Sequence, residues 1–206
     1  MRFLDFLAEA PLPSNWDNKK LDFTKEHFVD IIEYALARAK KIGAGTARVV
    51  FNVRYNGRQT ALKIAKNEAG LHQNEEELKW FKLLGNSDIV IPFIDYDTEH
   101  AKPVWIHTEK AKKLTPRKFK ELTGENFNEF LFYTIQQNRF DEMGYKDTHN
   151  TIPNNPLYVK IKKLLKMGFP HNDLDDIHSW GIWENRPVIV DLGYSDEIFD
   201  KFYKDF

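Results

Sequence analysis

Lys63, Asp173 and Asp191 are of the residue types that phosphate and divalent-metal chemistry requires, and each has an informative local context. Lys63 lies in the strand-like run Thr60-Ala61-Leu62-Lys63-Ile64-Ala65, downstream of Gly43-Ala44-Gly45. Strand alternation puts it on the face of Ala61 and Ala65, both small, while Leu62 and Ile64 point the other way. Small neighbours leave room for a ligand, but a lysine charge held in a sheet needs a partner. Glu77 suits that role, because of Glu75, Glu76 and Glu77 it alone is in helical register with Phe81 and Leu84. Such a pair would aim the ammonium group at phosphate. Asp173, in His171-Asn172-Asp173-Leu174, and Asp191, after the apolar run Val188-Ile189-Val190, are eighteen positions apart. The hairpin expected between them would turn both carboxylates toward one cleft. One carboxylate there orients or deprotonates an attacking hydroxyl; the other holds Mg²⁺ against phosphates.

Each residue also has a plainer reading. Gly43-Ala44-Gly45 precedes a strand, which contradicts a dinucleotide-binding fingerprint, and it reads equally as a helix C-terminus followed by a turn. Lys63 reads as a lysine on an edge strand, and Asp173, beside Asp175 and Asp176, as part of a solvated acidic loop. The paired spacing and the shared order along the chain favour the chemical reading.

The elements that must position these groups follow from apolar periodicity. An irregular arm is expected over residues 1–21, rich in Pro, Asn and Asp. A helix from Thr24 carries Phe28, Ile31, Ile32, Tyr34 and Leu36 and ends near Ile42, where the glycines break it. Two strands, Ala47–Tyr55 and Gln59–Ala65, turn at Asn56-Gly57, both residues tolerating positive φ. A helix over Asn67–Leu84 follows, then strands over Ile89–Tyr96 and Pro103–Thr108. Beyond Ala111 helices are expected over Pro116–Leu122, Asn126–Gln137 and Pro156–Met167, with a surface loop over Asp141–Asn155. The tail returns as a hairpin, Gly181–Trp183 and Pro187–Val190, turning over Glu184–Arg186.

Composition narrows the functional classes. In 206 residues, Lys plus Arg number 30 against 31 Asp plus Glu, so no global field favours nucleic acid or a membrane surface. The basic runs near Lys110–Lys120 and Lys160–Lys166 read as solvated helix faces, so nucleic acid is not an expected partner. There is no Cys, which removes disulfides, thiolate catalysis and zinc-thiolate sites. The N-terminal apolar patch is too short for a signal peptide and no run approaches the ~20 residues of a membrane helix, giving the expectation of a cytoplasmic protein.

Taken in order, these motifs resemble the protein-kinase-like superfamily. Gly43-Ala44-Gly45 with Val50 is similar to its glycine-rich loop, although Arg48 stands where a third glycine is usual. Ala61-Leu62-Lys63-Ile64 resembles the strand bearing the phosphate lysine, His171-Asn172-Asp173-Leu174 the catalytic loop, and Asp191-Leu192-Gly193 the metal-binding motif. The resemblance implies an α+β, two-lobed protein-kinase-like fold: a small antiparallel-sheet N-lobe with one helix, and a reduced, mainly helical C-lobe. It implies an arm and helix over 1–41, a nucleotide-binding sheet lobe over 42–109, and a reduced helical lobe over 110–206. It further implies ATP and Mg²⁺, with Mn²⁺ as an alternative, bound by Gly43, Gly45, Val50, Ala61, Lys63 and Glu77. Backbone groups of Glu109 and Ala111 would meet the adenine, and Asp191 the metal. Asp173 would act on the acceptor hydroxyl, with Lys63 beside it as the second catalytic group. The acceptor, a protein or a small molecule, is not specified.

Three departures shape the expectation. His178 replaces the asparagine that would hold a second metal, and imidazole is a poor ligand for Mg²⁺. Only fifteen residues follow Asp191, leaving no room for the segment on which protein kinases lay peptides. Asn172 replaces an arginine used in one mode of kinase control. The expected function is therefore a minimal ATP-dependent phosphotransferase; the alternative is a pseudokinase acting as a nucleotide- or protein-binding module.

Overall fold

The hairpin at Asn56-Gly57 sets the register of the main sheet. Both residues adopt positive φ, 50° and 75°, the backbone of a tight turn whose twist matches that of the strands it joins. In the computed structural model, which describes residues 25–204 except 86, 99 and 143–151, this hairpin joins β2 (Arg48–Tyr55) to β3 (Arg58–Ala65). With β1 (Lys40–Ala44), β4 (Phe93–Tyr96) and β5 (Trp105–Glu109) they form an antiparallel five-stranded sheet in the order β1-β2-β3-β5-β4. The chain is α+β and divides into two compact units. One comprises residues up to Gly85, Pro92–Lys110 and the stretch from Asp200; the other comprises Asn86–Ile91 and Ala111–Phe199.

In the first unit, period-two alternation sends Val49, Phe51, Val53, Leu62 and Ile64 into a core closed by Ile31 and Ala35 of helix α1 (Lys25–Leu36). Of the apolar stripe expected on α1, Ile31 is buried, Ile32 and Tyr34 are half-buried and Leu36 is exposed. Helix α2 (Glu68–Leu84) starts at Asn67, whose side chain accepts the Gly70 N–H at 3.1 Å. At Gly70 a Cβ atom would lie 2.2 Å from the Ala47 carbonyl oxygen and 3.0 Å from Ala65 Cβ. Glycine is what lets the helix approach this closely.

The second unit is built on aromatic packing. Strands β6 (Lys112–Lys113), β7 (Trp180–Trp183) and β8 (Arg186–Ile189) form a small antiparallel sheet. Around it lie α3 (Pro116–Thr123), α4 (Phe127–Glu142) and α5 (Pro156–Lys166). Thr115 and Asn155 cap α3 and α5, each followed by a proline at the first helical position. Phe119, Phe127, Phe130 and Trp180 are buried together, with Phe127 centred 5.1 Å from Phe119 and 6.3 Å from Trp180. The Trp180 indole N–H donates to the Leu174 carbonyl at 2.8 Å, so this tryptophan is a core residue. A short helix α6 (Asn172–Asp175), a 3₁₀ turn (Ile177–Ser179) and α7 (Asp196–Phe202) complete the described elements.

Several expectations need correction. The first helix ends at Leu36, and residues expected to extend it form β1 instead. This is an edge strand whose Lys40 and Lys41 are exposed, so pairing with β2 overrides a composition that reads as helix. The run expected as one strand over Ile89–Tyr96 is divided at Pro92, which has no N–H to give. Ile89 and Ile91 exchange backbone hydrogen bonds with Ile189 in the second unit, and only Phe93–Tyr96 joins the five-stranded sheet. The last hairpin turns on two residues, Glu184 and Asn185, both with positive φ, and Arg186 already belongs to β8. Strand β6 and the short helices α6 and α7 are elements for which no periodicity was read. The N-terminal arm and most of the expected 141–155 loop lie outside the described residues.

Two outcomes follow for stability. Gly70→Ala must displace backbone, and urea unfolding should show a loss of about 2 kcal/mol or more; an unchanged midpoint refutes the close approach. His107, buried on β5, meets the Thr60 hydroxyl at 2.8 Å, and that hydroxyl donates to the Val53 carbonyl at 3.3 Å. Desolvation pushes its pKa down from 6.5 to about 4, against a smaller opposing pull from Asp95. The unfolded chain then takes up the proton first as pH falls. The stabilisation is complete above pH 6.5 and drains away toward pH 4, by on the order of 3 kcal/mol. Unfolding free energies from pH 7 to 4 should fall less steeply in His107→Gln than in the parent.

Candidate functional site

Strand pairing brings several of the expected residues into one row. Gly43 on β1 pairs with Val50 on β2, Val50 pairs with Lys63 on β3, and Lys63 pairs with Ile106 on β5. Directly paired residues project to the same face of a sheet, so Gly43, Val50 and Lys63 share one side. Ala61, two residues from Lys63, lies on that side as well. At Gly43 a Cβ atom would make only an ordinary contact with Val50 at 3.7 Å, and at Gly45 it would meet nothing within 4 Å. Neither glycine has positive φ. The turn is fastened from below: the Gly45 N–H donates to the Arg48 carbonyl at 2.9 Å, and Lys66 Nζ donates to the Gly45 carbonyl at 2.9 Å.

Lys63 is 6% exposed and Glu77 0%, which makes their pairing obligatory in physical terms. Lys63 Nζ donates to Glu77 Oε1 in a buried ion pair. Arg48 Nη1 donates to the other carboxylate oxygen, Oε2. Arg48 is itself 6% exposed and also reaches Asn74 Oδ1 at 3.4 Å. The Asn74 amide in turn donates to the carbonyls of Pro103 and Val104, each at 3.0 Å. Two cations on adjacent strands thus share one carboxylate on α2, and an asparagine one helical turn earlier ties that helix to the chain entering β5.

Arg48 was legible in the sequence as a departure from a glycine pattern, and its partner was not. Counting back two positions from Val50 puts it on the Lys63 side of the sheet, opposite Ala65. Asn74, three residues before Glu77, is on the same face of α2. Glu109 ends β5; its N–H donates to the Pro92 carbonyl at 2.9 Å, its carbonyl accepts the Thr108 hydroxyl at 3.0 Å, and its carboxylate pairs with Arg58 at 2.8 Å. One lone pair of that carbonyl remains for a further donor. Ala111 belongs to the second unit and is half-buried.

In the second unit the two aspartates converge on one turn. Asp173, 4% exposed on α6, accepts the Tyr194 N–H through Oδ2 at 3.0 Å. Asp191, half-buried just beyond β8, accepts the Gly193 N–H through Oδ1 at 3.4 Å. The carboxylates are therefore fastened to consecutive residues, 193 and 194. The intervening β7–β8 hairpin returns the chain, and Val190 N–H bonds the Ser179 carbonyl at 2.7 Å. His178 is exposed on the 3₁₀ turn, where its backbone N–H caps onto Asp176. Among the described residues no group of three or more His, Asp or Glu side chains gathers as a metal cage. A 460 Å³ cavity in this unit is lined by Asp88, Thr123, Asn155, Lys160 and Arg186 among others, and includes neither aspartate. Among the described residues no helix is long and apolar enough to cross a membrane.

The chain matches no protein-family model and no curated protein. Among solved structures, the crystal structure of Rad53 1–466 in complex with AMP-PNP is similar over 75% of this chain, at 18% identity and a TM-score of 0.44. The match takes in 37% of that chain, so this one spans well under half its length. The five-stranded antiparallel sheet carries one helix between its third and fourth strands in chain order and a lysine on the third.

The shared carboxylate gives a direct test. Glu77→Ala withdraws from Lys63 and Arg48 the acid they hold in common and should cost about 3–5 kcal/mol in denaturant unfolding. A loss under ~1 kcal/mol would show that the ion pairs are not structural.

Proposed function

We propose that this chain binds ATP with Mg²⁺ and works as a minimal kinase-like phosphotransferase. The observation that carries the reading is the row Gly43–Val50–Lys63 across three strands, with Lys63 held by a carboxylate from the next helix. That combination meets the requirement of phosphoryl transfer for a cation fixed beneath a backbone that a phosphate can approach. The glycines support it further. The sheet demands glycine at neither position 43 nor position 45, since neither has positive φ or a crowded Cβ. A ligand that must approach the main chain supplies the missing reason.

In this reading the nucleotide lies along the Lys63 side of the sheet, against Val50 and Ala61, with adenine meeting backbone groups of Glu109 and Ala111. Asp191 suits a hard cation, because Mg²⁺ binds through one or two carboxylates, phosphate oxygens and water and needs no protein cage. Bound there, the ion would neutralise charge on the phosphates. Exposed imidazole makes His178 a poor second ligand for Mg²⁺, though acceptable to Mn²⁺. Asp173 would accept the proton of the acceptor hydroxyl as that oxygen bonds the γ-phosphorus and the bond to the β,γ-bridging oxygen breaks, releasing ADP, while its Tyr194 contact keeps the carboxylate oriented. The acceptor is a protein or a small molecule reaching Asp173. The second reading, a pseudokinase that binds nucleotide or protein without transfer, draws on the exposure of His178 in place of an amide ligand.

Thermal unfolding in the presence of ATP separates these from an unrelated fold use. At a hundredfold excess over Kd, ligand linkage adds ~2.7 kcal/mol, a rise in Tm of about 5–10 °C for a chain of this size. The rise should need Mg²⁺ or Mn²⁺ and be lost in Asp191→Asn. No shift at millimolar ATP with either metal refutes the nucleotide reading. If transfer is detected, Asp173→Ala should slow it by about a hundredfold or more with the ATP shift retained; a retained shift with no transfer from the parent chain selects the pseudokinase.

A further inference from the structure

The sequence resemblance gives position 48 to a glycine, and this chain places there a long, charged side chain that is withdrawn from solvent and spent on Glu77. An arginine at the start of β2 has other options: the glycine turn next to it is open to water, and Gly45, Thr46 and Ala44 are all exposed. Instead its guanidinium enters the Lys63 side of the sheet and takes Glu77 Oε2, leaving Oε1 to Lys63. A carboxylate held at one oxygen can still rotate about its last torsion; one held at both by groups on two different strands cannot. The same guanidinium reaches Asn74, which is bonded to two carbonyls at the entrance to β5. Helix α2 is thus fixed to β2, β3 and the approach to β5 through one buried polar network.

We propose that Arg48 is a positioning residue that locks Glu77 onto Lys63, so that the phosphate-facing pair is assembled before any nucleotide arrives. This rests on the nucleotide reading of the same site and adds to it a mode of control. Where a lysine–glutamate pair depends on the placing of a mobile helix, a partner or modification can switch it by moving that helix. Here the helix is held from three directions and the pair is permanently formed. A lysine pre-set in this way loses little freedom when phosphate binds, which favours affinity for the triphosphate and does nothing for the base. Arg48 acts through Glu77 and needs no contact with the nucleotide.

The test compares the full chain with Arg48→Met and Arg48→Lys, titrating each with Mg·ATP and with adenosine. Arg48→Met should weaken ATP by about tenfold and leave adenosine unchanged, and Arg48→Lys should recover most of the loss. Equal weakening of both ligands would mean that Arg48 merely supports the sheet, and unchanged ATP affinity that Glu77 needs no second hold; either overturns the proposal. Amide hydrogen exchange on the ligand-free proteins gives an independent reading. Exchange over residues 68–84 should quicken by about tenfold in Arg48→Met, with residues 156–166 unaffected. Should the parent chain bind no ATP, the nucleotide reading falls and this exchange decides alone: local quickening upholds the lock on Glu77, and no change removes it.

Discussion

A carboxylate fully withdrawn from water is tolerable only where cations and hydrogen bonds replace its hydration. Glu77 is such a group, and the architecture of the first unit is organised by the need to satisfy it. The need is met from two strands at once, by Lys63 and Arg48. For both to reach one side chain, β2 and β3 must be in a single register, which the Asn56-Gly57 turn sets. Helix α2 must also lie close to the sheet, which Gly70 permits. A slip of one residue in either strand would turn its cation to the opposite, apolar face, where Phe51, Leu62 and Ile64 are packed. Electrostatics and register therefore enforce each other.

The two faces of the sheet divide the work. One face is a dry core closed by α1, built from alternate residues of β2 and β3. The other carries Lys63 and Val50 in a row that ends at Gly43 on the edge strand, with Ala61 on the same side. The first face holds the apolar packing of this unit. The second combines apolar side chains with a cation held by a buried carboxylate, and it is there that the proposed nucleotide site lies. Exposed Lys40 and Lys41 on β1 keep the edge strand from pairing with another sheet.

In the second unit the same economy appears with acids. Asp173 and Asp191 are held by backbone N–H groups of consecutive residues, an arrangement that fixes the direction of both carboxylates. The aromatic core of Phe119, Phe127, Phe130 and Trp180 supports them from behind, since Trp180 begins the hairpin that leads to Asp191 and bonds the carbonyl of Leu174, next to Asp173. Asp173 on a four-residue helix and Asp191 in the loop after β8 thus lie on short segments braced by buried rings.

Much of this was written in local sequence. The Asn-Gly hairpin, the alternation that puts Lys63 on one face with Ala61 and Ala65, and the helical stripe that sets Glu77 in register with Phe81 and Leu84 all follow from spacings of two, three and four residues, because such neighbours meet whatever the rest of the chain does. Other features were beyond its reach. Strand β1 has the composition of a helix and becomes a strand only because β2 offers an unpaired edge. The apolar run at Ile89–Tyr96 looks continuous and is divided between two units by the choice of partners on either side of Pro92. Arg48 read as a missing glycine, and its purpose appeared only when the register set it beside Lys63 and opposite the helix bearing Glu77. Local propensities are decided over a few residues by sterics and periodicity; a shared partner for two distant cations exists only once strands and helix have been brought together, and no spacing along the chain encodes it.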